Sequence, residues 1–115
     1  MDNIILKWLY DIKLAVEETD GYFEKREKDF FQYRKDLMLK RAIERNLEII
    51  GEARNRILKK DNSFENKISN SKSIIGLRNQ VIHAYDNISD ENIWSILINH
   101  LPKLKSEISK LIDDN

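Results

Sequence analysis

The sequence predicts an all-α protein, folded as an antiparallel bundle of four to five helices. Apolar residues recur at helical spacing along most of the chain, which indicates amphipathic helices with one buried face each. The 115 residues include three glycines and one proline, so the chain has little of the turn punctuation that a β-rich fold needs. A chain of this length is typical of one domain, and we expect residues 1–115 to form a single helical domain.

The first half of the chain predicts two helices and a connector. The first helix runs from about Asn3 to Glu18. Residues 22–33 are charged but carry several aromatic side chains, which predicts an irregular or briefly helical connector that is packed rather than loose. A long second helix begins near Arg34 and ends near Lys59, where basic side chains suit the negative end of a helix.

The second half predicts a loop and two or three further helices. Residues 61–72 are rich in Asn and Ser, whose side chains can bond their own backbone, and they form the clearest loop. A third helix follows it and ends near Tyr85, and Ser89 caps a fourth. Pro102 is poorly tolerated inside a helix and marks a kink or the start of a fifth.

The composition excludes several classes of site. The chain has no cysteine, which excludes disulfides, thiolate metal sites and thiol nucleophiles. It has no apolar run of about 18 residues, and Asp2 is a poor start for a secretory signal, so we expect a cytoplasmic protein without a membrane partner. Asp90 and Glu91 could join His83 around a metal ion, but their place in a first helical turn explains them better. We expect no metal and no cofactor.

The charge of the chain is balanced overall but unevenly placed. The formal net charge is +0, so any contact with nucleic acid has to be local. Residues 21–60 hold 12 Lys and Arg against 7 Asp and Glu. This basic stretch is a candidate docking strip for RNA, and a solvated helix face of mixed charge explains it about equally well.

The stretch from Ile74 to Tyr85 brings a cation, an imidazole and a phenol together. At about 100° per residue, Arg78 and Tyr85 share a helix face, and His83 has to reach the same site from the flank. Arginine holds phosphate oxygens, and imidazole exchanges a proton near neutral pH. Cleaving RNA through its own 2′-hydroxyl needs a base, an acid and a cation. Each chain supplies one such histidine, so a homodimer would bring two into one cleft.

Other interpretations of these residues stay open. The spacing alone favours a structural histidine at a helix end over a catalytic one, and Arg78 and His83 could form a buried polar network in a plain bundle. Alternatively, the protein is a non-catalytic binding module that presents Tyr85 or a groove to a partner protein. His100, next to Leu101 and Pro102, has no catalytic or metal-binding group beside it in the sequence and is typical of a helix-end or surface residue.

Residues 78–85 match the Rx4HxY signature of HepT-like toxins, a branch of the HEPN superfamily, at every fixed position. Residues 45–53 (RNLEIIGEA) are similar to that family's second helix. Residues 74–79 (IIGLRN) look like its lead into the motif, and residues 101–104 (LPKL) like the start of its last helix. The chain therefore resembles the family over about residues 1–112, and the connector at residues 21–35 departs most from the family pattern.

The resemblance implies a HEPN-like helical homodimer that acts as the endoribonuclease toxin of a toxin–antitoxin pair, with an RNA substrate and no metal. It implies that Arg78 and His83 are catalytic and that Asn79 orients the substrate. Tyr85 would accept AMP from an MntA-like nucleotidyltransferase antitoxin, and the added phosphate charge and bulk would obstruct RNA. If the protein is instead the non-catalytic binding module, this nucleotidyltransferase is its expected partner.

Overall fold

The computed structural model describes residues 1–74 and 89–114. No strand occurs within these two ranges, which confirms the all-α prediction. The helices in chain order are α1 (Asn3–Gly21), α2 (Phe30–Lys35), α3 (Leu37–Lys60), α4 (Asp90–Ser95) and α5 (Leu101–Asp113). Two 3-10 turns, Asn62–Glu65 and Ser69–Ser71, follow α3, and a π-helical segment, Ile96–His100, joins α4 to α5.

Helices α1 and α3 pack side by side in opposite directions. Lys60 at the end of α3 lies 3.4 Å from the carboxylate of Asp2 at the start of α1. Asn46, near the middle of α3, bonds Thr19 near the end of α1. Helix α5 packs against α1 as well, and Lys105 pairs with Asp20 at 3.1 Å. The antiparallel packing of α1 and α3, with α5 beside α1, is that of a bundle.

One apolar core joins all the helices. Burial of apolar side chains in this core is the main stabilising contribution to the bundle. The fully buried members include Leu9, Ile12, Ile43, Leu47, Ile50, Ile57, Ile68, Ile74, Ile93, Leu97 and Leu101.

The start of the long second helix differs from the prediction. The sequence predicts an unbroken helix from about Arg34, whereas the structure has α2 end at Lys35 and α3 begin at Leu37. Asp36 lies between them with an extended backbone, and its carboxylate accepts the N–H of Leu39 at 3.0 Å. The chain breaks here because the aspartate side chain replaces the backbone partner that a helix start lacks.

The connector and the predicted loop are both packed against the bundle. In the connector, the rings of Phe23, Phe30 and Tyr33 contact Trp94 of α4, which confirms that aromatic side chains hold it to the core. Residues 61–72 are less loop-like than predicted, because Phe64 is buried in the first 3-10 turn and Ile68 is buried just before the second.

The π-helical segment coincides with Pro102. The N–H of Leu101 donates to the carbonyl of Ile96, five residues back. Pro102 has no N–H, and in an ordinary α-helix its ring would press against the carbonyl of Ile98. The wider turn relieves this clash. Helix α5 starts at the predicted place, with Pro102 in its first turn.

No helix within residues 1–74 and 89–114 has the length and apolar content needed to cross a membrane.

Candidate functional site

The predicted site residues Arg78, Asn79, His83 and Tyr85 lie outside the described residues, and their roles stay predictions. The described residues show how the chain enters and leaves residues 75–88, which carry these four residues and form the motif segment. They also show the surfaces of α3, the helix that contains residues 45–53.

The N-terminal flank of the motif segment is attached to α3 through a buried cation. Arg54 is 3% exposed, and its Nε donates to the hydroxyl of Ser71 at 2.7 Å. Burial lowers the pKa of the Arg54 guanidinium, and the carboxylate of Glu65 acts in the opposite direction. An arginine remains charged in proteins, so this is a buried positive charge held by hydrogen bonding. Ile74, the last described residue before the motif, is fully buried.

Glu107 of α5 holds the same flank from the other side. One of its carboxylate oxygens accepts the N–H and the hydroxyl of Ser69, at 3.1 and 2.9 Å. The other accepts the backbone and side-chain N–H groups of Asn70, at 3.1 and 3.2 Å. The Oδ1 of Asn70 lies 3.3 Å from Nδ1 of His100. His100 lies at a helix end, as predicted. Its ring also has a polar partner, Asn70, which is distant in the sequence.

The C-terminal flank of the motif segment is attached to α3 as well. The hydroxyl of Ser89 accepts the N–H of Asn92 at 3.2 Å, which confirms the predicted cap of α4. Asp90 pairs with Lys40 of α3 at 3.1 Å, and both side chains are about one-fifth exposed. The backbone N–H of Glu91 and the hydroxyl of Ser89 lower the pKa of the Glu91 carboxyl. Asp90 and Glu91 thus occupy the first turn of α4, as predicted.

The contacts of the two flanks lie toward opposite ends of α3, at Arg54 and Lys40 respectively. One long helix therefore fixes both flanks of the motif segment.

A buried tyrosine lies close to the C-terminal flank. Tyr33 of α2 is fully buried, with its ring 5.2 Å from that of Trp94. Its hydroxyl has no hydrogen-bond partner among the described residues. Burial and the nearby carboxylates of Asp90 and Glu44 raise the pKa of Tyr33 strongly.

Within residues 45–53, neighbouring positions have different surroundings. Asn46 is 2% exposed, and its amide donates to the hydroxyls of Thr19 and Tyr22, at 3.1 and 3.3 Å. It therefore ties α3 to the end of α1. Arg45 is exposed and lines a groove between the two helices.

This groove, the α1/α3 groove, has a volume of about 470 Å³. Its apolar side chains are Trp8, Ile49 and Ala53. Its charged side chains are Asp11, Arg45, Glu48, Glu52 and Arg56.

Sequence reasoning missed Asn46, Arg54 and Glu107. Asn46 and Arg54 fall among the buried positions of α3, so a polar residue on the apolar face is the signal that could have found them. Glu107 gives no comparable signal, because its partners lie far away in the sequence. Within the two described ranges, no three His, Asp or Glu side chains lie close enough to hold a metal ion together.

Comparison with known proteins identifies the family. The family model described as ribonuclease HepT-like matches residues 12–111. This chain belongs to the ribonuclease HepT-like family. The match includes the helices that anchor the motif segment and the motif itself. The HepT-like assignment confirms the resemblance found in the sequence.

Several relatives of this HepT-like chain carry names that assign them provisionally as RNases. One from Methanocaldococcus jannaschii is 36% identical over 103 residues, which cover 88% of this chain and 90% of the relative. One from Caldanaerobacter subterraneus subsp. tengcongensis is 32% identical over 104 residues, or 90% and 87% of the two chains. Another from M. jannaschii is 33% identical over 109 residues, or 93% and 86%. No solved structure gives a significant match.

Proposed function

We propose that this HepT-like protein is the toxin of a toxin–antitoxin pair, an endoribonuclease that cuts RNA at a composite site in a homodimer. The observation that carries the proposal is the complete Rx4HxY motif at residues 78–85 in a member of a ribonuclease family. The provisional RNase names of relatives that cover most of the chain support RNA as the substrate.

The motif supplies the groups that RNA cleavage requires. His83 of one copy takes the proton of the 2′-hydroxyl, whose oxygen then attacks the adjacent phosphorus. The histidine of the second copy protonates the departing 5′-oxygen, which leaves a 2′,3′-cyclic phosphate and a 5′-hydroxyl. Arg78 stabilises the charge that gathers on the phosphorus oxygens, and Asn79 orients the substrate. None of these steps requires a metal ion.

We further propose that Tyr85 is the regulatory residue. A nucleotidyltransferase antitoxin resembling MntA would transfer AMP from ATP to the Tyr85 oxygen, with release of pyrophosphate. The bound AMP adds negative charge and bulk next to the catalytic pair, which repels and obstructs the RNA backbone.

Replacing His83 tests catalysis. We expect His83→Ala to lower the rate of RNA cleavage by about 10²–10⁴-fold, because general acid–base catalysis is lost. The matched control is His100→Ala, which removes the chain's other histidine and should leave the rate within a few-fold of wild type. Rates are measured on labelled RNA, with and without EDTA. Cleavage by His83→Ala at the wild-type rate would exclude the assignment, and a strict need for added magnesium would exclude the metal-free mechanism.

Intact-mass measurement tests the regulatory role of Tyr85. After co-expression with a neighbouring nucleotidyltransferase gene, we expect the wild-type chain to gain the mass of AMP and Tyr85→Phe to gain none. Tyr10→Phe, which changes a tyrosine on α1 that is 43% exposed, should still gain it. An increment on Tyr85→Phe would place the modification elsewhere.

A further inference from the structure

Another groove lies between α2 and α4, next to the C-terminal flank of the motif segment. This groove, the α2/α4 groove, has a volume of about 320 Å³, at the lower end of the usual range for small-ligand sites, about 300–1,000 Å³. It is lined by Phe30, Glu91, Trp94, Ser95, Ile98 and Asn99. Trp94 follows Ser89 by five residues, which is about 7 Å along a helix. An occupant of the groove therefore lies close to the point where the motif segment ends.

Aromatic rings form part of this groove and continue beyond it. The rings of Phe30 and Trp94 lie 5.9 Å apart, and both side chains are partly exposed. The ring of Phe31 lies 5.9 Å from that of Phe30 and is 67% exposed. The face of an aromatic ring can stack on any nucleobase. Exposed rings beside a groove therefore suit a ligand with unpaired bases.

The α2 side of the groove carries positive charge. Arg34 and Lys35 follow Phe31 by three and four residues, so the three side chains lie on one face of α2. Both cations are exposed, and α2 contains no acidic residue. Hydrogen bonds from its own N–H and from Ser89 lower the pKa of Glu91, and the charge of Arg34 adds to this effect. Arg34 therefore lies near the groove that Glu91 lines, where a phosphate would be attracted to it.

Polar groups of the lining suit the edge of a base. The carboxylate of Glu91 accepts the hydroxyl of Ser89 at 2.9 Å, and the amide of Asn99 donates to the hydroxyl of Ser95 at 3.2 Å. A carboxylate and an amide each have further hydrogen-bonding positions beyond one such bond. Unpaired bases present donors and acceptors on their Watson–Crick edges, whereas a duplex hides them. The groove therefore fits a single strand better than a duplex.

We propose that the α2/α4 groove binds an unpaired base of single-stranded RNA, with Phe31 stacking on the neighbouring base and the cations of α2 close to the phosphates. The inference rests on the proposed function for the identity of the ligand, since that function makes RNA the substrate. It adds the place where the strand is held, and it predicts that the substrate is unpaired there.

Filling the groove tests this site. Ser95→Phe adds a ring at an exposed position of the lining. We expect it to weaken the binding of single-stranded RNA at least about tenfold, because the base then loses its stacking partners. Ser95→Ala leaves the groove open and should bind like wild type. Binding is measured by fluorescence anisotropy with a labelled strand whose 2′-hydroxyls are methylated, so that it cannot be cut. Thermal melts check that the variants are folded.

Replacing Phe31 provides a second measurement at an exposed position. Phe31→Ala should weaken binding by about 5–150-fold, the loss of one base stack, without changing the slope of log affinity against log salt, because no phosphate contact is removed. Phe31→Tyr keeps an aromatic ring and should bind like wild type. The matched control is Leu14→Ala, which removes an apolar side chain of similar exposure, 61%, from α1.

Each outcome separates this inference from the proposed function. The inference is overturned if either Ser95→Phe or Phe31→Ala binds the single strand as tightly as wild type, which is also the result expected if the groove holds a protein instead. It is overturned as well if the wild type binds a duplex of the same length as tightly as the single strand. Cleavage of unmethylated RNA is measured on the same samples. Binding that depends on the groove without any cleavage would contradict the proposed function and leave the inference standing.

Discussion

The buried polar side chains of α3 make contacts that the sequence pattern could not predict. Asn46 ties α3 to α1, and Arg54 holds Ser71 at the N-terminal flank of the motif segment. Both lie on the buried face of α3. The spacing of the apolar residues predicted this face, but periodicity says nothing about which group lies across from it. The catalytic assignment of Arg78 and His83 came from local chemistry and a family resemblance, and no described contact tests it.

Replacing Arg54 tests how much this buried cation contributes to the stability of the fold. We expect Arg54→Ala to lower the free energy of unfolding by about 2–4 kcal/mol, because it removes packed methylene groups and the donor bonded to Ser71. Urea unfolding followed by circular dichroism measures the difference. Arg41→Ala, whose arginine side chain is 69% exposed, should cost no more than about 0.5 kcal/mol. If both variants lost the same free energy of unfolding, the burial of Arg54 would contribute nothing to stability.

At the scale of the elements, side-chain caps determine where several helices begin. The sequence predicted the start of α1 at Asn3 correctly, and the cap of α4 at Ser89 as well. It missed the break between α2 and α3, because the apolar pattern continues across Asp36 while the carboxylate of that residue bonds the backbone ahead of it. Local bonding of this kind competes with helix continuation, and spacing alone does not show which wins.

The caps predict how stability depends on pH. Hydrogen bonds lower the pKa of four carboxyls at helix starts, namely Asp2, Asp36, Asp61 and Glu91. A carboxyl whose pKa is lower in the folded state stabilises the fold above its unfolded pKa, about 4, and the stabilisation is lost as the pH falls through the folded value. We therefore expect the melting temperature to drop as the pH is lowered below about 4.

Amide substitutions test whether these carboxyls cause the loss of stability at low pH. A variant with Asp2→Asn, Asp36→Asn and Asp61→Asn should lose less stability on acidification than wild type, since an amide oxygen still accepts a hydrogen bond but does not titrate there. Asp113→Asn, at the exposed end of α5, serves as the control and should follow wild type. Thermal melts between neutral and acidic pH provide the measurement. Identical acid profiles in the triple variant and wild type would show that other groups control the loss.

At the scale of the whole molecule, a net charge of zero coexists with a local excess of positive charge. The net charge is +0, so the molecule has no overall attraction for RNA. Part of the basic stretch does face solvent, because Arg34 and Lys35 are exposed on α2 beside Phe31, which is 67% exposed. Composition predicted the excess of positive charge, and the structure adds that this part of it is accessible.

Salt dependence separates a docking strip from a solvated helix face. In the inactive His83→Ala background, we expect Arg34→Ala with Lys35→Ala to weaken RNA binding. The slope of log affinity against log salt should become shallower by about 0.7 for each phosphate that the variant no longer neutralises. Lys103→Ala with Lys110→Ala, on α5, is the matched control and should change neither quantity. An unchanged slope in the Arg34 and Lys35 variant would identify these cations as ordinary surface charge.

The π-helical segment at Ile96–His100 also bears on how the chain can change in length. A π turn holds one residue more than the α turn it replaces. Deleting exposed Asn99 would therefore return the segment to α geometry without rotating α5 relative to α4, provided that Pro102 is replaced as well, because its ring would otherwise press against a carbonyl again. Trp94 would keep facing the connector, and Leu104 would keep its place in the core. The segment is thus a position at which descendants of this gene can lose a codon and retain the bundle if the codon for Pro102 changes too.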